Sequence, residues 1–201
     1  ARAFSAVRML AALHRVDPVT AGLGDEEVIT PIGEVDRWSR TFETVPDEVR
    51  VGYQACADAL RASAPEPLPP VVVHGDYRLG NMLATDHEVR AIIDWEIWSR
   101  SDPRIDLSWL LFFTDEAQHP VVPPDLDSGM PSDAELLAAY ERETGGPVPD
   151  LGWFHALTRF KEAAAMALIA KHLAKKGDTD TLAKMAAMLP ALIADAHARV
   201  S

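Results

Sequence analysis

The segment that decides the fold is VVVHGDYRLGNMLATDHEVRAIIDWE, residues Val71–Glu96. Three short apolar runs within it, Val71–Val73, Met82–Ala84 and Val89–Ile93, have the length of buried strands, and the turn TDHE joins the second to the third. Polar side chains follow the first run and the third. The segment therefore predicts a strand–loop–strand unit that carries polar side chains at the ends of short buried strands.

These polar side chains have a spacing that suits one kind of chemistry. His74, Asp76 and Asn81 form the pattern H-x-D-x-x-x-x-N, and Asp94 follows at the end of the third run. Phosphoryl transfer from a nucleotide requires a carboxylate that accepts the proton of the attacking hydroxyl, magnesium ligands, and positive charge near the moving group. Magnesium prefers hard oxygen ligands and takes few of them from protein. We therefore predict Asp76 as the catalytic base, with Asn81 and Asp94 as the ligands of the metal and the nucleotide cofactor. Arg78 is the second predicted catalytic residue because it is close enough to contact the phosphoryl group.

Two motifs of this segment resemble a known family. HGDYRLGN followed by IIDWE resembles the catalytic loop and metal-binding strand of the aminoglycoside phosphotransferase/choline kinase family, a branch of the protein-kinase-like fold. SDPRIDLSWLL is similar to that family's helix after the metal strand, and LAALHRVDP to its helix leading into the C-terminal lobe. The resemblance implies an ATP- and Mg²⁺-dependent phosphotransferase that moves the γ-phosphoryl group to the hydroxyl of a small molecule. The DYRLGN and DWE forms resemble family members of unassigned substrate, including kinase domains joined to some acyl-CoA dehydrogenases.

The resemblance also implies a role for each matching residue. It implies that Asp76 is the catalytic base and that Asn81 and Asp94 are the magnesium ligands, as predicted above. It makes His74 the residue that braces the loop against the metal strand, and Asp106 the buried helix carboxylate that accepts backbone N–H bonds from the loop. Many relatives have His at the position of Arg78, so a phosphate contact and a surface ion pair both remain open for this residue. For Trp109 the sequence favours a place in the core.

The fold class that follows is α+β and mostly helical, the C-terminal lobe of a protein-kinase-like fold in which short β-strands carry the catalytic and metal-binding loops. Residues 1–201 are expected to form this lobe, with a helical insertion near 31–63 and a helical C-terminal block near 132–200. Within these blocks, periodicity predicts helices over 32–42, 47–62 and the long segment that ends at Gly177. Asp102 and Ser132 are predicted N-caps, and Gln118–Met130 is predicted to be irregular.

The second lobe that the resemblance requires has no counterpart in the sequence. No G-x-G-x-x-G segment is present to cover the phosphates of a nucleotide. We therefore expect the N-terminal nucleotide-binding lobe to be absent from this chain, and the missing lobe of the same protein to be its partner. On this expectation the isolated lobe binds MgATP poorly and is inactive, and the activity belongs to a longer parent protein.

The composition excludes several classes of protein. The chain has 31 acidic and 19 basic residues, a net charge of -12, which is the wrong sign for a nucleic-acid partner. No apolar run approaches the ~20 residues that cross a bilayer, so no membrane partner is expected. The single cysteine, Cys56, allows no disulfide within the chain and is predicted to be a core thiol. These features predict a cytoplasmic protein.

Two other functions remain open from the residues. A catalytically silent, kinase-like binding or regulatory module would keep the fold without turnover. A metal hydrolase would use His74 and Asp76 as ligands, and it would need further His or Asp ligands close to them.

Overall fold

The structure is a computed structural model that describes residues 1–114, 129–177 and 179–201. Of the irregular segment predicted for Gln118–Met130, residues 118–128 lie outside this described part. Seven helices and five strands follow one another along the described residues: α1 (Arg2–His14), β1 (Val28–Ile29), α2 (Pro31–Glu43), α3 (Tyr53–Ala62), β2 (Val71–Val73), β3 (Met82–Thr85), β4 (Glu88–Ile92), β5 (Ser99–Ser101), α4 (Arg104–Thr114), α5 (Asp133–Thr144), α6 (Leu151–Lys176) and α7 (Thr179–Ala198).

The predicted elements are confirmed except at three places. The helix expected over 47–62 is a short 3₁₀ turn, Asp47–Val49, followed by α3. The break falls at Gly52, which has φ +82°, a left-handed conformation that ends helical winding. The strands β1 and β5 were missed because two- and three-residue strands are too short to show an alternating pattern.

The chain divides into two compact units, residues 1–29 with 67–151, and residues 30–66 with 152–201. The first unit contains a three-stranded sheet in the order β1–β5–β2. In this sheet β5 pairs parallel with β1 and antiparallel with β2. A separate antiparallel hairpin joins β3 to β4, with Met82 opposite Ile92. The hairpin and β2 are the strands that were predicted to carry the polar loop.

The core of the first unit lies around α1. Its buried face includes Val7, Leu10 and Ala11, and the helix contacts α4, α5, β2 and β4. Helix α4 is buried along almost its whole length, charged residues included. Such a helix provides a rigid support on which functional side chains can be held in place.

The N-terminus of α4 is held by a buried ion pair. The two charged groups of Asp102 and Arg104 are both about 1% exposed, and Arg104 Nη2 donates to Asp102 Oδ2 at 2.7 Å. Asp102 Oδ1 also accepts from the backbone N–H of Arg104 at 3.0 Å, which is the predicted N-cap bond. The same carboxylate accepts the backbone N–H of Leu68 at 2.9 Å. The start of α4 is thereby tied to the chain that leads into β2.

The second unit is helical. α3 packs against α2 and α7, and the Phe42 ring stacks on Tyr53 with centroids 5.0 Å apart. Cys56 is fully buried, as predicted. The indole N–H of Trp153 donates to the backbone carbonyl of Leu60 at 3.1 Å, which joins α6 to α3. No helix of the described residues is both long and apolar enough to cross a bilayer.

Candidate active site

The loop between β2 and β3 begins with two residues that are fixed by a carboxylate on α4. The backbone N–H groups of His74 and Gly75 donate to Asp106 Oδ2 at 2.6 Å and Oδ1 at 2.9 Å. Asp106 is fully buried, and these charge-assisted bonds satisfy it. Gly75 has φ +86°, and a Cβ at this position would lie 2.5 Å from the backbone oxygen of Ile97. Only glycine fits this start of the loop.

His74 joins the loop to the end of β4. Its Nδ1 lies 3.1 Å from the backbone N–H of Asp76 and therefore accepts this hydrogen bond. Nε2 then carries the proton and donates to the backbone oxygen of Ile93 at 2.9 Å. The ring also packs on Trp95, with centroids 4.6 Å apart. Because both ring nitrogens are in use, His74 has no nitrogen left for a metal.

The Asp76 carboxylate receives hydrogen bonds from three side chains. Asn81 Nδ2 donates to Oδ2 at 2.7 Å, and the indole Nε1 of Trp109 donates to Oδ1 at 2.7 Å. Arg78 Nε bridges both oxygens, at 3.1 and 3.2 Å. A carboxylate that accepts these bonds is held in one orientation, as a positioned base requires.

Asn81 and Asp94 occupy neighbouring backbone positions. The backbone N–H of Ile93 donates to the backbone oxygen of Asn81 at 2.9 Å, which extends the pairing of β3 with β4 by one step. Asp94 follows directly, with φ +68°, a conformation that few residues other than glycine adopt. Its carboxylate is exposed and accepts no hydrogen bond from the described residues. Three of the predicted site residues, Asp76, Asn81 and Asp94, are therefore brought to one place.

The oxygen atoms left over at this place suit a hard cation. Asn81 uses Nδ2 on Asp76, so its Oδ1 points away from that bond and takes no partner among the residues described. With the Asp94 carboxylate it provides two oxygen donors, a set typical of magnesium bound together with phosphate and water. No cluster of three or more His, Cys, Asp or Glu side chains that could hold a metal occurs in the described part of the chain. The further ligands that a metal hydrolase at His74 and Asp76 would need are thus not found in that part.

Arg78 lies in an ion pair with the predicted base. Besides the contact with Asp76, its guanidinium carbon lies 5.8 Å from the centre of the Phe113 ring. The guanidinium also lies over Gly80, where a Cβ would come within 2.7 Å of Arg78 Nη1. The sequence left two interpretations of Arg78 open, a phosphate contact and a surface ion pair. The structure contains an ion pair, and its partner is the predicted base Asp76. The phosphate contact stays a prediction.

Trp109 was missed as a site residue. It is 4% exposed, which confirms the predicted core position, yet its indole N–H reaches Asp76. The sequence does contain a signal. Trp109 comes three residues after Asp106, so both side chains lie on the same face of α4. If Asp106 binds the loop, its neighbour one turn later lies at the loop as well.

The charge of Asp106 affects the pKa of two buried tyrosines, Tyr77 and Tyr140. Burial raises the pKa of Tyr140, and the charge of Asp106 adds to this effect. The Tyr77 pKa is raised for the same two reasons in the same order. The Tyr77 hydroxyl donates to the backbone oxygen of Ala6 at 2.8 Å, and the Tyr140 hydroxyl lies 2.6 Å from His14 Nδ1. Both phenols therefore remain neutral. Through their hydroxyls, Tyr77 connects the loop to α1 and Tyr140 connects α5 to α1.

The fold that holds this site is that of the kinase-like phosphotransferases. A Ralstonia eutropha protein assigned to the aminoglycoside phosphotransferases superimposes with a TM-score of 0.77, at 22% identity, over 99% of this chain and 65% of its own. Amicoumacin kinase, solved with AMP-PNP, Ca²⁺ and Ami, gives 0.61 at 17% identity, over 98% of this chain and 59% of its own. Residues 1–157 match the phosphotransferase enzyme family, APH. The chain belongs to this family, as the sequence motifs predicted.

A relative of this chain is acyl-CoA dehydrogenase family member 11 of Pongo abelii. The two are 28% identical over 140 residues, which is 65% of this chain and 18% of the relative. The chain thus spans about a fifth of the length of this relative. The similarity concerns one part of a much larger protein.

Proposed function

We propose that this protein transfers the γ-phosphoryl group of ATP to a hydroxyl group of a small molecule. The observation that carries the proposal is the contact between Asp76 and Asn81, together with the backbone bond that places Asn81 beside the Asp94 position. A base and two cation ligands at one place are what this reaction needs. Membership of the phosphotransferase family supports the same reaction.

In this proposal Asp76 orients the acceptor. The acceptor hydroxyl donates its hydrogen bond to a carboxylate oxygen of Asp76, which holds the hydroxyl oxygen in line with the phosphoryl group. As the new oxygen–phosphorus bond forms, the bond from the γ-phosphorus to the bridging oxygen of ADP breaks, ADP leaves, and Asp76 accepts the proton. The carboxylate has about four lone-pair positions in all, and Arg78 bridges both oxygens in the structure. We therefore place the hydroxyl in the position that Arg78 vacates. Arg78 then turns its positive charge to the transferring phosphoryl group, within reach of its side chain.

Asn81 and Asp94 are the residues that would hold magnesium and, through it, the phosphates of ATP. Their free oxygens fit the ion, and when bound it supplies charge neutralisation on the phosphates. That a fold relative has been solved with AMP-PNP and Ca²⁺ supports a nucleotide and a divalent cation as the natural occupants. His74 and Asp106 hold the loop in register with β4 and α4 and take no part in the chemistry.

We further propose that a second lobe of the parent protein completes the nucleotide site, so the isolated chain has little activity. We also propose that the protein is cytoplasmic and acts on small molecules rather than on nucleic acids. The single cysteine, which is a buried free thiol, and the net charge of -12 support this proposal.

The test uses the full-length protein with ATP, Mg²⁺ and a panel of small alcohols. Product is expected from the wild type, and Asp76→Ala should lower kcat by about 10²- to 10⁴-fold. Asp94→Asn should raise the Mg²⁺ concentration needed for half-maximal rate. Its matched control is Asp86→Asn, another exposed aspartate with positive φ, 54°, which should leave the metal dependence unchanged. A folded wild type that binds MgATP without turnover would support the silent binding module instead.

A further inference from the structure

Asp106 and Trp109 of helix α4 both form hydrogen bonds with the catalytic loop, and the proposed function uses only the bonds of Asp106. Asp106 binds the backbone where the loop starts. One turn later, Trp109 donates its indole N–H to the side chain of Asp76 at 2.7 Å. At 4% exposure Trp109 presents almost no surface to a substrate. Trp109 therefore does not act by contacting the substrate, and its direct link to the predicted base is the hydrogen bond to Asp76.

The orientation of the Asp76 carboxylate depends on this bond. A carboxylate turns easily about its Cβ–Cγ bond, and two donors on different oxygens are needed to fix its plane. Trp109 holds Oδ1 and Asn81 holds Oδ2. The third donor, Arg78, belongs to a side chain that is 39% exposed, and in the proposed reaction it leaves. Once it has left, the loss of the Trp109 bond would leave a single donor, on Oδ2, and a carboxylate free to rotate.

The indole itself is held by its own helix. The Trp109 ring packs on Phe113, one turn further along α4, with centroids 4.9 Å apart. Phe113 in turn lies beneath the Arg78 guanidinium. We propose that Trp109 is a positioning residue for the catalytic base: its indole N–H fixes the plane of the Asp76 carboxylate for proton transfer. This inference rests on the proposed phosphotransfer function.

Two substitutions separate this role from packing. Trp109→Phe keeps most of the ring volume and removes the donor. Trp109→His removes more volume but keeps a donor, because Nε2 of a histidine ring lies where Nε1 lies in the five-membered ring of tryptophan. If Trp109 positions Asp76, activity and stability follow opposite orders. The His variant retains more kcat, and the Phe variant is the more stable of the two.

The experiment measures kcat and KM for the full-length protein. Hydrolysis of ATP, in which water replaces the alcohol, gives a rate even before the acceptor is known. Trp109→Phe is expected to lower kcat by about 10- to 100-fold and to leave both KM values within about threefold, since binding is untouched. Trp109→His is expected to recover at least part of kcat.

The matched control is Trp153→Phe. Trp153 is 7% exposed and also donates its indole N–H to a buried acceptor, but far from Asp76 in sequence and in the other unit. It should lose stability and keep kcat. The inference is overturned if Trp109→Phe keeps the wild-type kcat, or if kcat follows stability across the three variants. An inactive wild type would overturn the proposed function and, with it, the inference about Trp109. An active wild type whose kcat does not depend on the Trp109 donor would overturn the inference alone, so the wild-type rate distinguishes the two outcomes.

Discussion

Gly75→Ala tests how closely the loop between β2 and β3 is packed against Ile97, which lies three residues after Asp94 in the chain. Gly75 has φ +86°, and the added Cβ would lie 2.5 Å from the backbone oxygen of Ile97. Real Cβ atoms almost never come within 3.0 Å of another heavy atom. The loop or the Ile97 segment must therefore move by about half an ångström, and a backbone oxygen cannot turn aside as the end of a long side chain can.

Two costs add up at this position. A left-handed φ costs a non-glycine residue roughly 1–2 kcal/mol. The overlap adds about 1–3 kcal/mol, which is typical of overpacked interiors. The expected loss in the free energy of unfolding is thus about 2–5 kcal/mol.

Gly145→Ala provides the matched control. Gly145 lies in the same unit and has φ +87°, but no atom lies within 4 Å of its hypothetical Cβ. It carries the φ cost alone, about 1–2 kcal/mol. The effect of alanine on the unfolded chain is the same in both variants and cancels.

Urea unfolding of both variants, followed by circular dichroism, gives the comparison at a common m-value. Gly75→Ala should be less stable than Gly145→Ala by about 1–3 kcal/mol, the overlap contribution. Equal midpoints for the two variants would refute the close packing of the loop start. The same result would leave the positive φ as the reason for glycine at residue 75.

Three further predictions concern the surroundings of the site. Asp106→Asn replaces one of two accepting oxygens by a donor and leaves a loop N–H unpaired, so it should cost about 2–3 kcal/mol in urea unfolding; an unchanged midpoint would contradict this. Burial raises the pKa of Cys56 to about 12, so a thiol reagent at pH 8 should label it no faster than the protein unfolds, and rapid labelling of folded protein would be the contrary result. The hydrogen bond from Ser5 is the main cause that lowers the pKa of Glu88. The ionised Glu88 therefore stabilises the fold at pH values above its unfolded pKa of about 4.3, and this stabilisation is lost as the pH falls through the folded pKa. Ser5→Ala should therefore lose less stability between about pH 5 and pH 3 than the wild type does, whereas parallel pH profiles would argue against the bond.

Much of the local structure could be predicted because its causes lie within a few residues. The capping box of α5 is an example, since Ser132 and Glu135 are three residues apart and bond each other as their spacing indicates. β5 could not be predicted from its residues, Ser99–Ser101, which have no apolar pattern. It is a strand because β1 and β2 are there to pair with it.

For the site, the sequence by itself determined which side chains are candidates for the chemistry. They are a predicted base, Asp76, two predicted cation ligands, Asn81 and Asp94, and the positive charge of Arg78, all within one strand–loop–strand unit. Only the tertiary structure decided that Arg78 pairs with Asp76 and which tautomer His74 adopts. It also decided that Trp109, thirty-three residues after Asp76 in the chain, completes the set of hydrogen-bond donors to the Asp76 carboxylate. The physical reason is the separation along the chain over which each kind of interaction acts. Periodicity and capping act between residues a few positions apart, whereas the direction in which α4 crosses the loop depends on the packing of the whole unit.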